Sequence, residues 1–282
     1  GAQDVRYVQF MGKDNVAFHT VSFPATLLGS GEPWKTVDTL KAFNWLNWYG
    51  GKFSTSGKRG VFMDQALELL PADPWRWYLT ANAPEGSDTA FTWEQFASSI
   101  NRDLADVLGN FVNRIVKFAE SKFDGAVPDG GEPGPLEAKL EADVRAGVAE
   151  ATAAVEAMEF RKACQALRAV WVLGNEYLQE AAPWTALKTD RDRAAVGVRT
   201  GLNLVALFAR LAAPVIPFSA DKIAASVGES DLSWPGADEP LLDRLPRGQV
   251  VAAAEVLFRK IEDAQVAEWT ERFGGAEQGG VS

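Results

Sequence analysis

The chain has 282 residues, with 28 Lys and Arg against 38 Asp and Glu, so its formal charge is −10. Hydrophobic residues make up 47% and charged residues 23%, which excludes a disordered chain and gives ample length for a large core in two domains, with room for a small module between them. The single cysteine, Cys164, excludes an intramolecular disulfide framework, and with the single histidine, His19, it excludes a His-Cys metal centre.

No apolar run reaches the length expected of a bilayer-crossing segment, so no membrane partner is expected. The start, Gly1-Ala2-Gln3-Asp4, lacks the basic end and apolar stretch of a signal peptide; it reads as a cloning scar or an internal cut, with a processed mature protein as the alternative. A cytoplasmic protein is the default. The acidic total argues weakly against non-specific nucleic-acid binding, because phosphate affinity comes from Lys and Arg, and no DNA partner is expected. Six of the ten tryptophans (Trp34, Trp45, Trp48, Trp75, Trp77, Trp93) fall in the first third. Most read as core anchors with a polar edge, some as stacking platforms.

In chain order, Val5 to Phe10 alternates like a half-buried strand, Gly12 to Asn15 forms a turn, and a helix runs from Val16 to Leu28, kinked near Pro24. Strand, turn and helix in that order predict an α/β layer. Thr39 to Tyr49 reads as a strand pair ending at Gly50-Gly51. The loop Lys52 to Gly60 follows, rich in small, hydroxyl and basic residues. Two short helices fit Met63 to Ala81, separated by Pro71 and Pro74. Phe91 to Glu94 reads as a helix start with Thr92 as its cap. The remainder is helical: Glu94–Phe123, Leu136–Ala157, Phe160–Glu180, Asp190–Ala212 and Phe218–Ser226 carry apolar residues at helical spacing, and a last helix is expected from about Gln249 to Phe273.

The expected domains are residues 1–50, an α/β piece too short to be a complete doubly wound sheet; 51–92, a linking module; 93–228, an all-α bundle; and 229–282, an extension with a helix.

Four places carry candidate chemistry. The Lys52–Gly60 loop, with Lys52, Lys58 and Arg59, offers backbone amides and positive charge to a polyanion, although composition alone favours an ordinary solvated loop and the common phosphate-loop spacing is absent. In Gly12-x-Asp14-x4-His19, Gly12 allows close backbone approach and Asp14 offers a ribose acceptor; a helix cap and a packed histidine account for these residues equally well. Asn110 and Arg114 share one helix face, where an amide and a guanidinium fork can read a base edge or simply decorate the surface. Pro183-Trp184 lies between two helices, placing an indole to stack on an unpaired base or to plug the bundle.

Taken in order, Gln9 to His19, Gly51-Lys52-Phe53-Ser54-Thr55-Ser56, Asn110-x3-Arg114 and Ala182-Pro183-Trp184 resemble the second half of the methionyl-tRNA synthetases, a class I aminoacyl-tRNA synthetase family; the likeness runs from about Val5 to Ser226. Trp75-Arg76-Trp77-Tyr78-Leu79, Pro84-Glu85-Gly86 and Ala90 to Trp93 are similar to the eukaryote-like branch. The resemblance implies an α/β remnant, the second half of a Rossmann-type nucleotide-binding fold, followed by a small linking module and an all-α anticodon-binding helical bundle. It implies ATP with Mg2+ as substrate and no zinc site in this chain. Lys52 to Ser56 would be the mobile loop over the ATP phosphates, with Lys52 stabilising the pyrophosphate charge and Ser54 and Ser56 beside it. Gly12 and Asp14 would hold the ribose, and Asn15 and His19 would line the methionine pocket. Asn110, Arg114, Pro183 and Trp184 would recognise the CAU anticodon of the methionine tRNA.

Two departures stand out. Thr55 replaces the loop's usual second lysine, which Lys58 or Arg59 would compensate. The family's His-Ile-Gly-His signature needs two histidines, and these residues contain one. The chain therefore reads as the C-terminal part of a ligase, inactive in isolation, with the N-terminal half as its partner. The alternatives are a non-catalytic tRNA-binding module and a sister class I synthetase for isoleucine, valine, leucine or cysteine.

Overall fold

A computed structural model describes residues 3–252 and 256–274. They form two compact units. Of the described residues, the first comprises 3–60, 82–92 and 273–274; the second comprises 61–81, 93–252 and 256–272.

In the first unit, strand β1 (Val8–Gly12) pairs parallel with β2 (Thr39–Phe43), Val8 opposite Thr39 and Gly12 opposite Phe43. A parallel pair needs a crossover, and residues 13–29 provide it. A 3₁₀ turn (Lys13–Asn15), a π turn (Phe18–Ser22) and helix α1 (Phe23–Gly29) follow one another. Pro24 sits in the first turn of α1, where its missing N–H costs nothing. The expected strand pair at Thr39–Tyr49 exists as two strands that do not pair with each other. Strand β3 (Leu46–Trp48) pairs instead with β4 (Thr89–Phe91), again in parallel, and Trp48 stacks on Phe91 at 5.0 Å. β4 enters the sequence reading only through Phe91, assigned to the helix start that follows at Trp93. Its three residues are too few to show a period of two, and its partner is some forty residues away.

The second unit is helical. It contains α2 (Met63–Leu69) and α3 (Ala72–Ala81), then α4 (Trp93–Ser99), which runs through a π-helical stretch (Ile100–Gly109) into α5 (Asn110–Lys122). Next come α6 (Pro135–Glu156), α7 (Phe160–Ala181), the single turn α8 (Pro183–Ala186), α9 (Arg191–Ala212), α10 (Pro217–Ser226) and α11 (Asp263–Phe273). Leu104, Ile115, Val144, Trp171, Leu178, Val205 and Phe208 are fully buried at its centre. Gly174 allows the paired rings of Phe111 and Phe208 to lie against α7, since a Cβ there would meet Phe208 Cζ at 2.7 Å.

Helix α9 departs from the sequence reading in one respect. Its 22 residues are long and apolar enough, at mean hydropathy 1.3, to cross a membrane by length and composition alone, yet that whole apolar window is buried inside the unit. Two buried arginines on it are satisfied by protein: Arg199 donates to the carbonyls of Pro128, Gly130 and Gly131, and Arg210 pairs with Glu239. This is the central helix of a bundle.

Residues 229–252 pack on α9. Asn203 Oδ1 accepts from the N–H groups of Arg244 and Leu245, and Arg244 pairs with Glu229, Asp231 and Glu239. The expected helix from Gln249 is shorter and begins only at Asp263. Gln249 to Val251 is extended instead: Val250 bridges Ala126, Val127 N–H donates to Gln249 and Val251 N–H to Gly125. Residues 253–255 of that expected helix lie outside the described residues.

Candidate phosphate loop and nucleic-acid interface

In the first unit, β3 ends in a tight turn. Trp48 and Gly51 exchange backbone hydrogen bonds of 2.7 and 2.9 Å, with Tyr49 and Gly50 at positive φ. Ser54 and Arg59 exchange another pair, 2.9 and 2.8 Å, closing a small loop over Thr55–Lys58. Ser54 Oγ accepts from Gly57 N–H at 3.0 Å and lies 3.5 Å from Ser56 Oγ. Gly60 has φ +109°, and a Cβ there would stand 2.3 Å from the Phe53 ring, which packs edge-on against Trp48. The loop is thus anchored at its base by Phe53 and held by hydroxyls at its tip.

Lys52 and Lys58 are exposed, and Lys58 holds a left-handed φ of +50°. Arg59 faces the other way. Its Nη2 donates to the Trp48 carbonyl at 3.1 Å, its guanidinium covers Gly51, and its buried Nε has no hydrogen-bond partner among the described residues. In this conformation Arg59 braces the loop.

Gly12 ends β1, and a Cβ on it would come within 2.8 Å of Asp14 Oδ1. Asp14 and Asn15 are exposed and joined by a 3.3 Å hydrogen bond. His19 Nδ1 lies 3.1 Å from Gln9 Oε1, and Gln9 Nε2 donates to the Tyr7 hydroxyl. An amide oxygen only accepts, so this arrangement puts the ring proton on Nδ1 and leaves Nε2 as an acceptor in the neutral imidazole. Beside this turn, Lys13 pairs with Asp88 at 2.6 Å, and Asp88 also accepts from Trp45 N–H. The lysine's hydrogen bond and then the backbone N–H lower the Asp88 pKa.

The second cluster is in the second unit. Asn110 and Arg114 are exposed one turn apart at the start of α5. Helix α7 ends at Ala182 in a left-handed conformation (φ +38°), which turns the chain sharply into α8. That turn buries Pro183 and presents Trp184, half-buried, toward α5. The Arg114 guanidinium lies over the indole at 4.7 Å, and Phe118, a further turn along α5, meets the same indole edge-on at 6.4 Å. The structure therefore brings Arg114, Pro183 and Trp184 together, with Asn110 one turn away. Lys52, Ser54, Ser56, Lys58 and Arg59 occupy one loop of the first unit, and Gly12, Asp14, Asn15 and His19 line another turn of it.

Sequence reasoning missed the continuation of this surface. Phe118 stacks toward Phe123 at 6.2 Å, and Arg191, the first residue of α9, covers Phe123 at 4.8 Å. The four-residue step from Arg114 to Phe118 was a usable signal. Arg191, far along the chain, gave none.

The bundle beneath is fixed by Glu137 of α6, 4% exposed. It accepts two bonds of 2.9 Å from Arg193 of α9, one of 2.7 Å from the Tyr177 hydroxyl of α7, and one of 2.8 Å from Gly134 N–H. Burial alone would raise its pKa; the bonds from Arg193, Tyr177 and Gly134 outweigh that and hold it below the usual carboxylate value. Burial also pushes the Tyr177 hydroxyl up. α7 and α9 are the helices that α8 joins, so Glu137 ties together the two ends on which Trp184 is mounted.

Residues 127–278 match the family described as the anticodon binding domain of methionyl tRNA ligase, and residues 1–116 match class I tRNA synthetases (M). The methionine–tRNA ligase of Caulobacter vibrioides (strain NA1000 / CB15N) is 73% identical over 279 residues, covering 98% of this chain and 49% of the relative. That of Maricaulis maris is 66% identical, covering 99% and 49%. Among solved structures, Mycobacterium tuberculosis methionyl-tRNA synthetase in its free state superposes with a TM-score of 0.78 at 25% identity, over 91% of this chain and 50% of that one. The same enzyme bound by methionyl-adenylate gives 0.80 at 25% identity, over 90% and 50%. The chain spans about half the length of the curated relatives it matches.

Proposed function

The chain belongs to the methionyl-tRNA ligase family, and from that premise we propose that it serves the ATP-dependent attachment of methionine to its tRNA through methionyl-adenylate. On this reading the first unit supplies the mobile loop over ATP and part of the amino-acid pocket, and the second unit reads the CAU anticodon. The observation that carries it is the Arg114 guanidinium stacked on Trp184, a cation–aromatic platform whose indole, mounted on the buried Pro183, lies in the region matching the anticodon-binding family, while Arg114 lies at the end of the class I synthetase match.

Lys52 would meet the charge that develops on the pyrophosphate leaving group, an electrostatic task suited to an exposed cation on a loop that can close. Thr55 leaves one positive charge to be supplied. Lys58 is already exposed for this, whereas Arg59 would first have to leave the Trp48 carbonyl. Ser54 and Ser56 would donate to phosphate oxygens, Gly12 and Asp14 would take the ribose, and Asn15 and His19 would face methionine. The acceptor left on His19 Nε2 suits the substrate ammonium group. Mg2+ would arrive on the triphosphate, since this ion is commonly held by substrate phosphates and few protein ligands. Among the described residues no three His, Cys, Asp or Glu side chains gather to hold a metal.

Trp184 would stack on an unpaired base, with Arg114 and Asn110 hydrogen-bonding to base edges. The remaining half of a ligase would complete the catalytic site and cover Phe10, Phe18, Val21 and Leu28, which are exposed here. Such an enzyme works in the cytoplasm, where tRNA is charged. The test is a gel shift with methionine tRNA. Trp184→Ala should weaken binding by roughly 5- to 150-fold, the equivalent of about 1–3 kcal/mol of base stacking. Unchanged affinity in a folded variant would overturn the proposal.

A further inference from the structure

The Arg114–Trp184 pair is one end of a longer row. Trp184 and Phe118 meet edge to face at 6.4 Å, Phe118 and Phe123 lie tilted at 6.2 Å, and a guanidinium lies on the ring at each end, Arg114 at 4.7 Å and Arg191 at 4.8 Å. α5 with the residue after it, and far along the chain the adjoining α8 and start of α9, build this row.

Arg191 differs from an ordinary surface arginine in three ways. Phe123, 6% exposed, fixes one face of its guanidinium, and Nη2 donates to the Lys122 carbonyl at 3.3 Å, so the group is preorganised. It is exposed and, among the described residues, is in no ion pair with a carboxylate. Lys122 and Lys188, both exposed, lie on the neighbouring segments and offset the exposed Asp124, Asp190 and Asp192 there. A guanidinium held on an aromatic ring keeps N–H donors beyond the one given to the Lys122 carbonyl, and so suits a phosphodiester, which it can bind with little further loss of freedom.

We propose that Arg191, held on Phe123, binds a backbone phosphate of the RNA strand beside the base stacked on Trp184. This rests on the anticodon reading above. Arg114 and Trp184 then carry base recognition, while Arg191 sets the register of the strand without reading sequence.

The test measures binding of the full chain to RNA stem-loops with CAU or GAU in the loop, from about 50 to 200 mM salt. Arg191→Ala and Arg191→Gln should weaken both RNAs equally, by about 3- to 10-fold at the lower salt. They should also make the slope of log K against log salt shallower by about 0.7, as expected for one lost contact to a single strand, and leave the CAU-to-GAU ratio unchanged. An unchanged affinity and slope in a variant of unaltered helicity would overturn the assignment. A changed CAU-to-GAU ratio would overturn it too, since Arg191 would then be reading a base. Trp184→Ala, run alongside, separates the two proposals: if it leaves binding intact the anticodon reading has failed, and if only the Arg191 variants behave as the parent the phosphate assignment alone has failed.

Discussion

Replacing Glu137 with Gln isolates the tie that fixes α6, α7 and α9. The carboxylate accepts four hydrogen bonds, two from Arg193 and one each from Tyr177 and Gly134. Glutamine keeps the shape but only one accepting oxygen, and its NH2 must face groups that are themselves donors. About two charge-assisted bonds are lost, at about 1.5–3 kcal/mol each. Arg193 keeps 32% of its side-chain surface exposed, so water recovers part of that loss. The expected cost is therefore about 3 kcal/mol, at the lower edge of what a broken buried pair costs. Urea unfolding followed by far-UV circular dichroism, which this helical unit dominates, should show the midpoint falling with an unchanged slope. The sign with pH follows from the lowered pKa. The parent's advantage is fully present above the unfolded carboxylate value of about 4.3 and disappears as pH falls through the lower folded value. A difference below about 1 kcal/mol, or one that persists unchanged in strong acid, would refute the assignment of Glu137 as the central tie.

Three further outcomes are expected. Gly60→Ala places a Cβ against Phe53 at positive φ, so the loop around Lys52 should be cleaved several-fold faster by protease while helicity stays as in the parent; unchanged cleavage would show that the Phe53 anchor is dispensable. Bonding to Arg210 holds the Glu239 carboxyl at about 2, so Glu239→Gln should lower the melting temperature at neutral pH, with the difference vanishing as pH falls through about 2; a difference independent of pH would contradict the ion pairing. The 282-residue chain on its own should show no methionine-dependent pyrophosphate exchange, because its single histidine cannot supply a two-histidine signature; robust exchange would contradict the division of labour proposed.

What the sequence disclosed follows from the range of the forces involved. Long amphipathic helices such as α6, α7 and α9 were legible almost to their ends, since apolar spacing and flanking proline or glycine are local signals. The parallel pairing of β3 with β4 was not, because three residues carry no readable period and the pairing is settled by the Trp48–Phe91 stack across the fold. The end of the chain was overread for a related reason. Gln249 to Val251 sits in a helix-compatible stretch, but Gly125 and Val127 take up its backbone hydrogen bonds. At the candidate sites, Arg114 and Trp184 could be named from their motif; that one lies upon the other could not. Arg59 and Lys58 looked equivalent as charges until folding turned Arg59 onto Gly51 and the Trp48 carbonyl. Arg191 had no local pattern to mark it. Its role emerges only when α9 is set against Phe123.

The central claim is that the second unit distinguishes three unpaired nucleotides. Competition between RNA stem-loops that differ only in carrying CAU or GAU, measured with the parent chain by fluorescence anisotropy, tests it most directly. CAU should be preferred by about tenfold or more, the discrimination expected of one well-made base contact. Equal affinity for the two loops would contradict it.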